Sequence, residues 1–183
     1  MMTNNLTLST VKAWVDSVVV ELNLCPFAKR ELARNRVRFV VTTARTETAL
    51  LSALQKELEL LAQNNLYETT LLIHPDVLQD FTDYNQFLQI ADNLLQDQGL
   101  EGILQIASFH PDYQFADTEP DAAENYSNRS PFPMLHIINE ESMELALAGY
   151  PNPEKIPERN IQCLKRLGKA KMEELLRSSF ESR

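Results

Sequence analysis

The sequence predicts an α/β fold with a four-stranded sheet, mostly parallel or mixed, packed by helices in the order α-β-α-β-α-β-(long loop)-β-α-α. Three observations carry this. Short apolar or β-branched runs alternate with longer segments of helical period, the pattern of βαβ crossovers. That alternation breaks once, at a polar stretch from His110 to Pro133. The composition, 44% hydrophobic and 23% charged, belongs to a chain able to bury a core without disulfides or metals. A single domain over residues 1–183, with its core in about residues 10–178, is the expected organisation.

From Thr10 to Leu24, Val11, Trp14, Val15, Val18, Val19 and Leu22 recur at helical spacing, until Pro26 stops or bends the helix. The piece FAKRELARN continues as a short helix. Arg36 to Thr42 alternates and is β-branched, as a strand requires. Thr46 is placed to cap a long helix reaching Asn64, with Leu50, Leu54, Leu58 and Leu61 on one face. Thr69 to Ile73 is a short apolar strand closed by His74-Pro75, and Asp76 with Gln79 resembles a capping box for a helix to Asp97. Gly102 precedes a third strand, ILQIASF. The fourth, MLHIIN, follows the long loop with no crossover helix, so it is expected antiparallel to the third, a parallel placement staying open. Asn139 caps a helix with Glu140 and Glu141 in its first turn, and one last helix begins at Pro157.

The net charge of −9 removes the electrostatic footprint expected for nucleic acid or an anionic membrane, and neither is an expected partner. Apolar runs fall short of the ~20 residues that span a bilayer. The opening MMTNNLTLST has neither the basic nor the apolar stretch of a signal peptide, and a cytoplasmic location is the default expectation. Cys25 and Cys163 form no disulfide framework and no CxxC pair. Glycine-rich phosphate loops, GxSxG and HExxH are absent, so the sequence names no cofactor and no serine hydrolase of the usual type.

Chemistry concentrates in a few places. Long ordered loops are usually functional, and the loop from His110 to Pro133 brings Asn125, Asn128, Arg129 and Ser130 close together. Arg129 is suited to a carboxylate or phosphate and its neighbours to orienting a ligand. A surface loop that caps its own turns is the alternative. His74 and His110 each follow an apolar strand and precede a proline, which puts both on one sheet edge if those strands are parallel. Each offers proton transfer, or simply caps a strand end. His136 lies within the fourth strand and reads as a packed or sheet-face residue. Cys25 before Pro26 is placed as a helix N-cap, where a thiolate is favoured, with Lys29 and Arg30 one turn on. Its alternative is a small buried thiol, the reading that fits Cys163. No compact metal motif joins Cys25, His74, His110, Asp112 or Asp117, and no metal site is assigned. Basic residues from Lys29 to Arg45 and from Lys165 to Lys171 read as solvated faces.

The segments LCPFA (24–28), SFHPDYQFA (108–116), NRSPFPMLH (128–136) and YPNPEKIPERN (150–160) resemble the uncharacterised domain-of-unknown-function family 1415, over about Val11 to Leu167. The resemblance implies no particular activity, cofactor or catalytic residue. The residues themselves support an enzyme acting on a small polar or anionic metabolite, with Cys25, His74 or His110 as catalytic groups and Asn125, Asn128, Arg129 and Ser130 binding. A non-catalytic module that uses the same loop for a ligand or partner is the alternative.

Overall fold

The computed structural model describes residues 3–63 and 66–181. A four-stranded sheet is built from β1 (Val37–Val41), β2 (Thr69–Ile73), β3 (Leu104–Phe109) and β4 (Met134–Asn139). Its order is β1-β2-β4-β3. β1 and β2 are parallel, with α3 (Glu47–Gln63) between them in sequence. α4 (Phe81–Asp97) connects β2 to β3, but the two strands are not neighbours. β4 occupies the position between them and runs antiparallel to both. The mixed sheet and the antiparallel β3–β4 pair are as the sequence predicts.

Strand alternation divides the core into two layers. Leu72, Leu104, Leu135 and Ile137 pack with Leu50, Leu54 and Leu58 of α3 and Tyr84, Phe87 and Ala91 of α4. On the other face, Leu71, Ile73 and Met134 pack against Val11 and Trp14 of α1 (Asn4–Trp14), Leu164 of α6 (Ile156–Leu167) and Met172 of α7 (Lys169–Ser178). Trp14 meets the edge of Phe109 at 5.6 Å between centroids.

Four boundaries differ from the sequence reading. The first helix begins earlier, with Thr3 as its cap, and changes at Val15 into a π-helical segment to Val20. Its wide turns are visible in the i→i+5 bonds from the Glu21 N–H to the Asp16 carbonyl and from Leu24 to Val19. Asp80, not Asp76, caps α4, accepting the N–H groups of Thr82 and Asp83 at 2.8 and 3.1 Å. Gln79 instead donates to the Pro75 carbonyl, so residues 75–79 form a turn. The expected single last helix is two, α6 and α7, broken at Gly168. Finally, α2 (Ala28–Ala33) starts two residues after Pro26, with Phe27 rather than Cys25 at its N-cap. The expected end of α3 at Asn64 lies outside the described residues.

Gly168 has φ 77° and ψ 162°, backbone that only glycine adopts without strain. A Cβ added there would meet nothing within 4 Å, so the cost of Gly168→Ala is purely conformational. The substitution should destabilise the protein by about 1–3 kcal/mol in a urea titration. An unchanged midpoint would mean that the α6–α7 break is not held by this backbone.

Candidate functional site

The strand-end histidines do lie on one sheet edge, as expected. β2 ends at Ile73 and β3 at Phe109, and both residues pair with Met134 of β4. Both rings are fully buried and flank Tyr84, at 5.8 Å for His74 and 5.1 Å for His110. His110 accepts the Asp112 N–H on Nδ1 at 3.0 Å, which leaves Nε2–H to donate to the Leu78 carbonyl at 3.2 Å. His74 donates from Nδ1 to the Val77 carbonyl at 3.0 Å. Leu78 sits in the left-handed region (φ 56°), a conformation a leucine keeps only when its surroundings impose it. The two imidazoles thus hold the turn ahead of α4. His74 Nε2 is buried without a partner. Burial pushes the His74 pKa down to about 4 and also lowers that of His110.

The polar loop is braced by its own side chains. Asn125, wholly buried, accepts from the Phe115 N–H and the Thr118 hydroxyl and donates to the Glu119 carbonyl. Arg129 lies over the Tyr126 ring and donates to the carbonyls of Tyr113 and Pro120. Asn128 donates to the Ser108 carbonyl and Ser130 to that of Phe132. Lys165 and Lys169 tie the loop to the last two helices through Glu124 at 3.0 Å and Asp121 at 2.5 Å.

Cys25 lies elsewhere. It lines a cavity of about 430 Å³ on the α1 side of the sheet. Leu71, Ala107, Phe109, His136 and Ile138 form the floor, and Trp14, Val15 and Val19 one wall. α5 (Glu140–Ala148) crosses the opposite side, presenting Ser142, Met143, Leu145 and Ala146. None of His74, His110, Asn125, Asn128, Arg129 or Ser130 lines it. Between the π-helical segment, which ends at Val20, and Cys25, Asn23 takes up the left-handed conformation (φ 53°). Burial raises the Cys25 pKa, outweighing the N–H groups of Phe27 and Ala28 that favour thiolate. Of the two sequence readings of Cys25, the thiolate is therefore disfavoured: desolvation of the thiol outweighs the help from the start of α2.

The sequence reads His136 as a packed or sheet-face residue and Arg30 and Arg36 as part of a solvated face, and gives no role to Thr69, Glu68 or Ser142. Thr69 donates its hydroxyl to the Ile137 carbonyl at 2.7 Å and contacts His136 Nε2 at 2.5 Å. With the hydroxyl proton so used, Nε2–H is the donor and Nδ1 keeps a lone pair. Burial lowers the His136 pKa to about 4. Arg36 is paired with Glu68, which also accepts from Ser142, and Arg30 with Glu31 at 2.6 Å. The available signal was His136 on the same strand face as Met134 and Ile138, among residues that otherwise face a core. Among the described residues, no group of three or more His, Cys, Asp or Glu side chains is arranged to hold a metal ion.

The four segments singled out in the sequence meet in pairs. Phe27 packs edge-on to Tyr150 at 5.6 Å, and Arg159 and Asn160 donate to the carbonyls of Asn23 and Leu24. The segments 24–28 and 150–160 therefore meet at the cavity rim. The segments 108–116 and 128–136 interlock through the His110 N–H to the Asn128 carbonyl and the Ser130 N–H to the His110 carbonyl. The family model described as "Protein of unknown function (DUF1415)" matches residues 7–174, which include all four. The chain belongs to this family. The match takes in every strand and the whole cavity lining, so the cavity is part of the family's own domain. Comparison with curated proteins and with solved structures finds no match. No helix among the described residues is long and apolar enough to cross a membrane.

His74 and His136 are held neutral in the fold, with pKa values near 4 against an ordinary 6.5. Their contribution to stability is whole above pH 6.5 and is lost as pH falls toward 4, because only the unfolded chain takes up these protons. Each should tilt the stability curve by about 1.4 kcal/mol per pH unit across that window. His136→Gln should flatten the curve by about that amount. An unaltered slope would place the His136 ring in contact with water.

Proposed function

We propose that the chain is a small-molecule-binding protein whose ligand lies in the cavity between the sheet and α5. The observation that carries this reading is α5 itself. It has no buried residue, although Met143 and Ala146 face an apolar hollow. A helix normally earns its place by burying one face. Here that face is only partly covered, a ligand filling the space would complete its packing, and the volume lies in the range of small-molecule sites. The six-residue π-helical segment on the opposite wall supports the same reading, since such segments are often found at functional sites.

The strand-end and loop residues support a ligand less well. To reach one, His110 would have to release the Leu78 carbonyl, and Asn125 and Arg129 those of the loop, while His74 keeps an unpartnered Nε2 that does not line the cavity. An enzymatic reading has one observation in its favour: Cys25 and His136 line the same cavity. His136 Nδ1 would take the thiol proton and the thiolate would add to a carbonyl carbon of the ligand, the C=O π pair moving to oxygen and the proton returning to it from His136. Burial opposes both charges of that ion pair, so binding is the reading the resting geometry favours.

Ala107 lies on the cavity floor, directly opposite His136 in the β3–β4 register. Ala107→Phe should fill the floor, preserve or raise the melting temperature, and abolish the thermal shift given by any compound that stabilises the native chain. A variant that still responds to those compounds would place the ligand elsewhere.

A further inference from the structure

Resting on the cavity reading above, we infer that the ligand carries a protonated amine on an apolar body, and that Glu31 receives it. Four charged side chains line the cavity, Arg30, Glu31, Arg36 and Glu68. Both arginines are already committed. Arg36 pairs with Glu68, whose carboxylate also takes the Ser142 hydroxyl, and Arg30 Nε donates to Glu31 Oε1 at 2.6 Å. Glu31 Oε2 is different. It is shielded from solvent, on a side chain only 10% exposed, and has no hydrogen-bond partner. A buried carboxylate oxygen left unmatched is costly, and such atoms ask for an explanation.

A second acceptor on the lining has the same character. His136 uses Nε2–H on Thr69, which leaves the Nδ1 lone pair. These two positions are acceptors and call for a donor; the donors that share the lining, the Cys25 thiol and the Asn139 amide, carry no charge to match the carboxylate. An anionic ligand would have to break an ion pair and then sit beside an uncovered carboxylate oxygen. A neutral alcohol offers a single proton and no charge. An ammonium group brings several donors and a positive charge, and Glu31 can accept it on Oε2 while keeping Arg30 on Oε1. The apolar floor of Leu71, Ala107, Phe109 and Ile138 takes the hydrocarbon part.

The test is calorimetric titration of the full chain at neutral pH with three probes of equal length: hexylamine, hexanol and hexanoate. Hexylamine should bind on the order of tenfold tighter than hexanol, the advantage of a charged over a neutral hydrogen bond, with hexanoate weakest. Glu31→Gln should retain hexanol binding and erase the preference for the amine. Arg30→Gln, at a half-exposed position, frees Oε1 as well and should tighten hexylamine binding while lowering the melting temperature of the ligand-free chain. Hexanol or hexanoate binding as well as hexylamine would overturn the assignment to Glu31 and leave the cavity reading standing. Failure of all three probes to bind would overturn both.

Discussion

The backbone pairing of β4 on both of its edges is the constraint on which the rest of the structure depends. The β2-α4-β3 crossover leaves one strand position empty, and β4 fills it against the direction of both neighbours. Its pleat then assigns every side chain. Leu135 and Ile137 enter the α3–α4 layer, and Met134, His136 and Ile138 turn to the other face. A slip of one residue would drive His136 into an aliphatic layer and turn Leu135 and Ile137 toward the cavity, so the register is strongly specified. The start of the strand is fixed by three further bonds. The Pro133 carbonyl accepts the His74 N–H, and the Tyr84 hydroxyl donates to the Met134 carbonyl while accepting the Phe109 N–H. The polar loop, braced by Asn125 and Arg129, delivers the chain to that point.

One sheet face is closed and the other is not. Against α3 and α4, leucines and aromatic rings fill the space between helices and strands. Against α1, the π-helical segment and α5 stand apart over the β2–β4–β3 floor, and the space between holds a thiol, an imidazole and two ion pairs. Desolvation sets the chemistry of that space. It keeps Cys25 protonated and His136 neutral, so the resting cavity presents hydrogen-bonding groups rather than a reactive ion pair. The net charge of −9 is not mirrored in the cavity lining, where two arginines meet two glutamates.

Most of the fold was legible because it rests on local pattern. The leucine spacing of α3, the Asn139 cap of α5 and the alternation in β4 each specify an element from neighbouring residues alone. The boundaries that were missed depend on distant partners. The sequence pattern points to Asp76 as the cap, three residues ahead of Gln79. Asp80 takes the role because buried His74 and His110 hold the Val77 and Leu78 carbonyls in the preceding turn. The break at Gly168 hides within a continuous helical pattern, since a lone glycine in such a run is compatible with an unbroken helix. For the site, sequence placed His74 and His110 on one edge and left proton transfer and strand-end capping open; the bonds of His74 Nδ1 and His110 Nε2 to the turn carbonyls depend on the fold of residues 75–79. Cys25 was visible as a reactive residue type. Its meeting with His136 and Glu31 required the strand order, which no local pattern encodes.

The central claim is that α5 covers an unfilled cavity and gains its packing from a ligand. Native-state hydrogen exchange, followed residue by residue in the ligand-free chain, tests this directly. The backbone amides within α5 should exchange far faster than those at the centres of α3 and α4, because no buried side chain holds α5 down. Protection in α5 equal to that of α3 and α4 would show a helix already fully packed, and would contradict the account.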